Sequence, residues 1–431
     1  MRLPGYSRSS VNLPETDLVR LLCALLALLL ASQLAGGLAQ RLKQPRVIGE
    51  ILGGMLFGPT VLGALAPAAY RELFAANPLH QQILGFVSWL GLLLLMFCSG
   101  MENQPVRSRQ EWRTAGFLVG AGTLLPLALG LAAASLVDLS ALHGPRATPT
   151  TFGLLLAMAV AVTSIPVISK IFFDLGLTGT PFARIVLSAA LIEDLLLWVL
   201  LSITLDWAGA GDQGAWALGR GVVVTVVFFL FTTLAGHRIY DGISRARWNP
   251  FRTSPDAMPL LLVFLLGVLL AYLLGVNPIF GAFLAGRVVG NSARIAPETR
   301  EQVTGFSFGL FIPVYFAIVG LRLDLHHDFD LAAFLGVLLF ACTVKTAATW
   351  IGGRLAGHTS LQATHLAVAM NARGGPGIVL ATVALDAQLI NGGCYAILVL
   401  LSLVSSQLAG WWLGRAMRRR PKELALEPAT A

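Results

Sequence analysis

The chain consists largely of apolar stretches of roughly 20 residues, separated by short polar segments. A helix of that length spans a bilayer, and only helices and closed barrels satisfy every backbone polar group there. The composition agrees, because 56% of the 431 residues are hydrophobic and only 12% are charged. The sequence therefore predicts an all-α polytopic membrane protein with about 13 transmembrane helices. These begin near Leu18, Val47, Gln82, Thr114, Thr151, Pro181, Ala215, Ala257, Asn277, Val303, Ala332, Leu361 and Gly393.

The basic residues predict the orientation, because Lys and Arg in short loops stay on the cytoplasmic side. Nearly all of them lie in one set of alternate loops and in the C-terminal tail, which places the N-terminus outside and the C-terminus in the cytoplasm of a cell (inner) membrane. This asymmetry accounts for the net charge of +8 without nucleic acid, and the basic loops are expected to contact membrane lipid. The other set of loops holds only Arg2, Arg8, Arg71 and Arg146.

The first apolar run, Leu21 to Leu30, also fits a cleaved signal peptide. Cleavage would leave an even number of spans, so the charge pattern favours a retained helix. The longest loop, residues 237–256, leaves no room for a separate soluble domain. We expect an extracytoplasmic segment at 1–17, a transmembrane domain at 18–416 and a cytoplasmic tail at 417–431.

Two adjacent carboxylates, Glu193 and Asp194, lie near the middle of the apolar run from Ile185 to Leu205. An acid at the centre of a bilayer costs about 2.5 to 3.5 kcal/mol on insertion scales, so it is rarely present without a function. The pair therefore predicts an ion-binding or proton-binding site within the membrane.

Lys345 is predicted to lie at the same depth as Glu193. Glu193 follows Arg184 by nine positions and Lys345 precedes Arg354 by nine, so each is about 13 Å from a cytoplasmic loop. A buried ammonium and a buried carboxylate at one level are natural partners. Because Glu193 and Asp194 diverge by about 100° around the helix, a lysine that pairs with one need not neutralise the other. A purely structural ion pair is the alternative reading.

The fifth and twelfth spans contain helix-interrupting residues near mid-membrane. One holds Thr163-Ser164-Ile165-Pro166, and the other holds the run from Asn371 to Gly377, which includes three glycines and a proline. Two interrupted spans in corresponding positions indicate a secondary transporter built from inverted repeats. Since half-helix ends that cross need neutralisation, we predict that the crossing is formed by Pro166, Gly374 and Gly375 and neutralised by Asn371, Arg373, Thr163 and Ser164.

Because the two interrupted spans stand seven positions apart, an odd number, the two repeats would have opposite orientation. We place them at about 18–205 and 257–416, joined by a linking helix at about 215–236.

Six ordered motifs between about Leu18 and Gly414 resemble those of the monovalent cation:proton antiporter-2 family. The resemblance implies a sodium/proton antiporter-like fold, a homodimer with a moving core, and an ion site at Asp194, with Thr163 and Ser164 supplying further oxygens. It also implies that an acid at position 193 paired with Lys345 makes exchange electrogenic, although glutamate is not the usual acid there. The motifs are Gln44 to Glu50 with Gly58-Pro59, Thr163 to Ile168, Leu191 to Asp194, Gly281 to Gly286, Val319 to Asp324 and Met370 to Gly374.

The sequence is therefore expected to encode a secondary active antiporter that exchanges Na+ or K+ for protons by alternating access, for pH and cation homeostasis. An ion-coupled transporter or exporter of a small organic solute is the alternative on the same fold. An intramembrane enzyme is disfavoured, because adjacent acids on one helix cannot face each other and no H-E-x-x-H motif is present. No cofactor and no metal beyond the transported cation is expected, and the four cysteines lack paired spacing.

Overall fold

The computed structural model describes residues 14–42, 44–75, 78–101, 108–177, 180–210, 214–245, 257–292, 295–327 and 329–419. Apart from one isolated β-bridge between His143 and Ile390, regular structure in these ranges is helical. The outermost parts of the predicted terminal segments, and the basic residues Lys43, Arg107, Arg247, Arg252 and Arg294, lie outside the described residues.

Eighteen α-helices are described, with short π-helical turns at 59–63, 71–75, 232–236 and 307–311. The α-helices are α1 Glu15–Arg41, α2 Arg46–Leu56, α3 Pro67–Tyr70, α4 Pro78–Met101, α5 Arg109–Leu136, α6 Pro149–Ala161, α7 Ile165–Asp174, α8 Pro181–Ala210, α9 Gly214–Phe231, α10 His237–Arg245, α11 Ala257–Leu273, α12 Pro278–Gly290, α13 Pro297–Phe306, α14 Ile312–Leu321, α15 Leu331–Leu355, α16 Ser360–Ala369, α17 Gly374–Asp386 and α18 Gly392–Arg419.

Within the described residues, nine helical segments are long and apolar enough to cross a membrane, and the bent pair α16–α17 makes ten. Three further predicted spans correspond to shorter helices: α2 with 11 residues, α11 with 17 and α12 with 13. The all-helical membrane fold is confirmed, while the count of about 13 spans stays a prediction.

The segment after the predicted linking helix differs from the expectation. Residues 237–245, expected to be loop, form α10, which continues the α9 helix through the π-helical turn at 232–236. The apolar side chains Ile239 and Ile243 recur at helical spacing, and the Arg238 guanidinium donates to the Leu234 carbonyl at 2.8 Å. Hydrogen bonding therefore carries the helix beyond the end of its apolar stretch.

Helix contacts in the first part of the chain recur in the last part. Helix α1 packs on α2 as α11 packs on α12, and α2 packs on α14 as α12 packs on α4. Likewise α5 packs on α6 as α15 packs on α16, and α5 and α15 pack on each other. This is the pattern that two repeats related by a pseudo-twofold axis would produce.

Glycines allow α2 and α14 to approach at backbone distance. A Cβ atom at Gly54 would lie 1.9 Å from the Ala317 carbonyl oxygen, and one at Gly320 would lie 1.9 Å from the Ile51 oxygen. Small residues drive such contacts in membranes, where packing replaces the hydrophobic effect. The α2–α14 crossing therefore depends on glycine at both positions.

Gly54→Ala is expected to lower the thermal unfolding midpoint in detergent, because overpacking typically costs about 1–3 kcal/mol. Gly37→Ala is the matched control: Gly37 lies in α1, no atom lies within 4 Å of its added Cβ, and alanine favours a helix by about 0.5–1 kcal/mol. Tryptophan fluorescence on heating measures both. Equal midpoints for the two variants would contradict this account of the crossing.

Candidate functional site

The two predicted breaks are present and lie side by side. Residues 162–164 separate α6 from α7, and residues 370–373 separate α16 from α17. The Ser164 N–H donates to the Ala372 carbonyl at 2.6 Å, and the Thr163 hydroxyl donates to the Met370 carbonyl at 2.6 Å. The crossed discontinuous helices expected from the sequence are therefore confirmed.

One hydroxyl serves the N-termini of both α7 and α17. Ser164 Oγ accepts from the Val167 N–H at 3.4 Å and from the Gly375 N–H at 3.2 Å. Pro166 lies in the first turn of α7, where its missing N–H costs no helical hydrogen bond. The Ser164 side chain therefore links the two helix starts in this crossing.

Gly374 begins α17 with a φ of +37°, in the left-handed region. A Cβ atom there would lie 2.3 Å from Val167 Cγ2. The Gly374 N–H donates to Ser406 Oγ at 3.1 Å. Both the backbone angle and the close approach to α7 therefore require glycine at this position.

The C-terminus of α6 is capped by two cations. The last carbonyls of a helix have no intrahelical donor and carry partial negative charge. The Arg373 guanidinium donates to the carbonyls of Ala159 and Val160, each at 3.1 Å, and the Lys345 ammonium donates to that of Ala161 at 2.5 Å. The orphan carbonyls of this buried helix end are satisfied in this way.

Arg373 is fully buried, and its five N–H donors all face acceptors. Beyond α6, it donates to the Ala341 carbonyl at 2.8 Å, to Asn371 Oδ1 at 2.9 Å and to the Asn371 carbonyl at 3.3 Å. The Asn371 amide in turn donates to Thr346 Oγ1 at 2.7 Å. The geometry supports the predicted neutralising role of Arg373 and Asn371.

Lys345 and Glu193 form a fully buried ion pair, with Nζ 2.8 Å from Oε1. The other two ammonium protons face the Ala161 carbonyl at 2.5 Å and the Gly122 carbonyl at 2.9 Å. An ammonium has three donors, so all three are used. The matching depths inferred from the sequence thus correspond to a direct contact.

Asp194 is buried on the same helix and lines a different space. Its cavity lies between α6, α8 and α17, and the centres of water-sized spheres fit over about 10 Å³ of it. That volume holds about one water molecule or one small cation. The lining residues are Met158, Val162, Asp194, Leu197, Trp198, Leu201, Pro376 and Leu380.

The predicted oxygens of Thr163 and Ser164 lie in the crossing and not in the lining of the Asp194 cavity. Both hydroxyls are engaged by main-chain groups, and the single Thr163 proton goes to Met370. Val162, at the same break, does line the cavity. The structure therefore brings the acidic pair, Lys345 and the crossing together. The Thr163 and Ser164 hydroxyls bond to main-chain groups of the crossing and do not line the Asp194 cavity.

Sequence reasoning missed α5 as a contributor to the site. The Thr123 hydroxyl donates to Glu193 Oε1 at 2.9 Å, and the adjacent Gly122 carbonyl accepts from Lys345. A buried threonine in an apolar run is an ordinary packing residue, so the sequence around Thr123 does not indicate a functional site. Its proximity to α8 becomes visible only in the helix packing.

The chain matches the profile of the family described as "Sodium/hydrogen exchanger, transmembrane" over residues 24–419. It is 28% identical over 370 residues to the Na(+)/H(+) antiporter NhaS4 of Synechocystis, covering 84% of this chain and 89% of that one. It is 29% identical over 384 residues to K(+)/H(+) antiporter 1 of Saccharomyces cerevisiae, covering 85% of this chain and 42% of that one. The chain thus spans less than half the length of the yeast relative.

The solved structure of the sodium proton antiporter MjNhaP1 from Methanocaldococcus jannaschii at pH 8 has the same fold. The TM-score is 0.67 at 16% identity, over 95% of this chain and 100% of that one.

Arg373→Lys is expected to lower the unfolding midpoint strongly. Lysine has three donors instead of five and cannot reproduce the planar fork, so buried carbonyls lose partners at about 1–3 kcal/mol each. Arg415→Lys, on the surface beside Trp411, is the matched control and should shift the midpoint little. Thermal unfolding of both purified variants tests this, and an Arg373→Lys midpoint equal to wild type would refute the capping role.

Proposed function

Because the chain belongs to the sodium/hydrogen exchanger family, we propose that it exchanges Na+ or K+ for protons across a membrane by alternating access, with Asp194 as the shared binding group. The family comprises transporters and not enzymes. One observation carries the assignment of the site: Asp194 is a buried carboxylate in a cavity that touches both broken helices. The relatives of the chain are named as Na(+)/H(+) and K(+)/H(+) antiporters, so Na+ and K+ are both candidate cations.

Competition for Asp194 gives the mechanism. In one orientation the deprotonated carboxylate binds the cation, together with backbone oxygens near the break at Val162. In the other orientation a proton displaces the cation, because a carboxylate cannot hold both at once. Exchange then follows from two states that expose the same group to opposite sides.

Cavity size supports an ion as the substrate over a small organic solute. The space beside Asp194 holds about one water molecule, and its walls are otherwise apolar. A drug-sized or metabolite-sized ligand needs a pocket of roughly 300–1,000 Å³. The exporter alternative is therefore not favoured by this geometry.

The proposed second charge carrier is the Glu193–Lys345 pair. Lys345 contacts the Glu193 carboxylate directly, whereas Asp194 lines the separate cavity proposed for the cation. A proton released from the ammonium as the cation enters would add one charge to each cycle. Exchange would then be electrogenic, which agrees with the expectation from the acid at position 193.

The charge asymmetry of the loops supports an orientation of the proposed cycle with the N-terminus outside and the C-terminus in the cytoplasm. A cleft of about 470 Å³ on the basic side lies between the α1–α2 connection and helices α7 and α18. On the opposite side, Arg322 of α14 pairs with Asp386 of α17 at 2.8 Å, and the Tyr395 hydroxyl donates to the Val319 carbonyl at 3.0 Å. These contacts support a cytoplasm-facing state.

We further propose that the protein lies in the cell (inner) membrane as a homodimer in contact with lipid. Two repeats, at about 18–205 and 257–416, are joined by the α9 region, and the recurring helix contacts support this division.

Asp194→Asn is expected to abolish cation-dependent dissipation of a preset pH gradient in proteoliposomes, because an amide neither binds a proton at neutral pH nor attracts a cation. Asp206→Asn is the matched control, since Asp206 lies on the same helix outside the Asp194 cavity. Comparing Na+ with K+ in wild type names the cation. Exchange that survives in a folded Asp194→Asn variant would contradict the proposal.

Clamping the membrane potential is expected to change the rate of wild-type exchange, because the proposed cycle moves net charge. Moving one elementary charge across a potential of 100 mV changes the free energy of the cycle by about 2.3 kcal/mol. The assay uses valinomycin and K+ to set the potential while Na+ drives exchange, or a lipophilic ion if K+ is the substrate. Equal rates at all potentials would indicate electroneutral exchange and remove the second charge carrier.

A further inference from the structure

The Gly122 carbonyl that accepts from Lys345 lies in the middle of a helix. Carbonyls in a helix interior are ordinarily occupied by the N–H four residues further on. In α5 that position is Pro126, which has no N–H. The Gly122 oxygen is thereby left without its usual helical donor, and Lys345 Nζ lies 2.9 Å from it.

We propose that Pro126 is a positioning residue for Lys345, because its missing N–H creates the acceptor that holds one of the three ammonium protons. This inference deepens the proposed antiport function and rests on it for its role in transport. The contact between Lys345 and the Gly122 carbonyl opposite Pro126 is present whatever the protein transports.

The same helical turn is fitted closely to the ion pair. A Cβ atom at Gly122 would lie 2.8 Å from Thr349 Oγ1 and 3.7 Å from Glu193 Oε1, so the carbonyl approaches only because the residue is glycine. The next residue, Thr123, donates to the carboxylate that pairs with Lys345. One turn of α5 therefore supplies an acceptor to the ammonium and a donor to its partner.

The charges around Lys345 explain why a third acceptor matters. Glu193 and Asp194 on α8 attract the ammonium, whereas Arg373 at the crossing repels it. Cys342, one turn away on α15, faces Arg373 at 3.8 Å. Since two cations share the C-terminus of α6, the α5 carbonyl gives Lys345 an acceptor that Arg373 does not contact.

Proline in a helix interior is strongly unfavourable, and α5 retains one that is buried. Pro126→Ala would restore an amide N–H that competes with Lys345 for the Gly122 oxygen. The charged form of Lys345 would lose part of an acceptor, while its neutral form would lose little. The half-activation pH of exchange is therefore expected to move toward acid by about one unit, the size of one hydrogen bond to a charged group.

The test measures exchange against pH in proteoliposomes for wild type, Pro126→Ala and the control Leu124→Ala, a lipid-facing neighbour that is 63% exposed. Thermal unfolding of Pro126→Ala in wild-type and Lys345→Met backgrounds forms a double-mutant cycle that needs no transport. Replacing proline with alanine favours the helix in both backgrounds. With Lys345 present, the gain is offset because the ammonium loses part of its Gly122 acceptor, so the midpoint should rise more in the Lys345→Met background.

An acid shift confined to Pro126→Ala, together with the larger midpoint gain in the Lys345→Met background, would support the inference. An unchanged pH profile, or an equal midpoint change in both backgrounds, would overturn it. If wild type shows no exchange, the proposed function fails, and the unfolding cycle still decides whether Pro126 acts through Lys345.

Discussion

The structure depends on a helix that ends inside the protein at membrane depth. The carbonyls of Ala159, Val160 and Ala161 close α6 where no water is expected to reach them, and an unsatisfied carbonyl there costs several kcal/mol. Arg373, directly before α17, and Lys345, on α15, donate hydrogen bonds to these carbonyls. Both cations are therefore held at the site by the helix end, and Lys345 brings Glu193 with it. The position of the acidic pair therefore depends on the need of these backbone carbonyls for hydrogen-bond donors.

Glycine and proline produce this arrangement by what they lack. Gly54 and Gly320 lack a Cβ, so α2 and α14 meet at backbone distance, and Gly374 allows α17 to start against α7. Pro126 lacks an N–H, so a mid-helix carbonyl becomes a ligand for an ammonium. Absent atoms thus set both the close packing of the helices around the site and the acceptors inside it.

Much of this could be predicted from the sequence, because the signals are local. Apolar length gave the helices, Pro166 and the Gly374-Gly375 pair gave the breaks, and counting residues from basic loops placed Lys345 level with Glu193. The roles of Thr163 and Ser164 were less predictable, since a hydroxyl can bond to an ion or to a backbone and only the crossing decides. Thr123 was missed because helix rotation and packing, which bring α5 against α8, leave no mark in an apolar run. The extension of α9 into α10 was missed because polar side chains ended the apolar signal before hydrogen bonding ended the helix.

Ser164 comes from the first part of the chain, and its oxygen accepts from the N-termini of both α7 and α17. Conversely, Ala372 and Met370 from the last part accept from Ser164 and Thr163. Neither part can satisfy its own interrupted helix in isolation. A chain that ended before α15 would leave the carbonyls of Ala159, Val160 and Ala161 without Arg373 and Lys345, so stable insertion of the first interrupted helix depends on the last part of the chain.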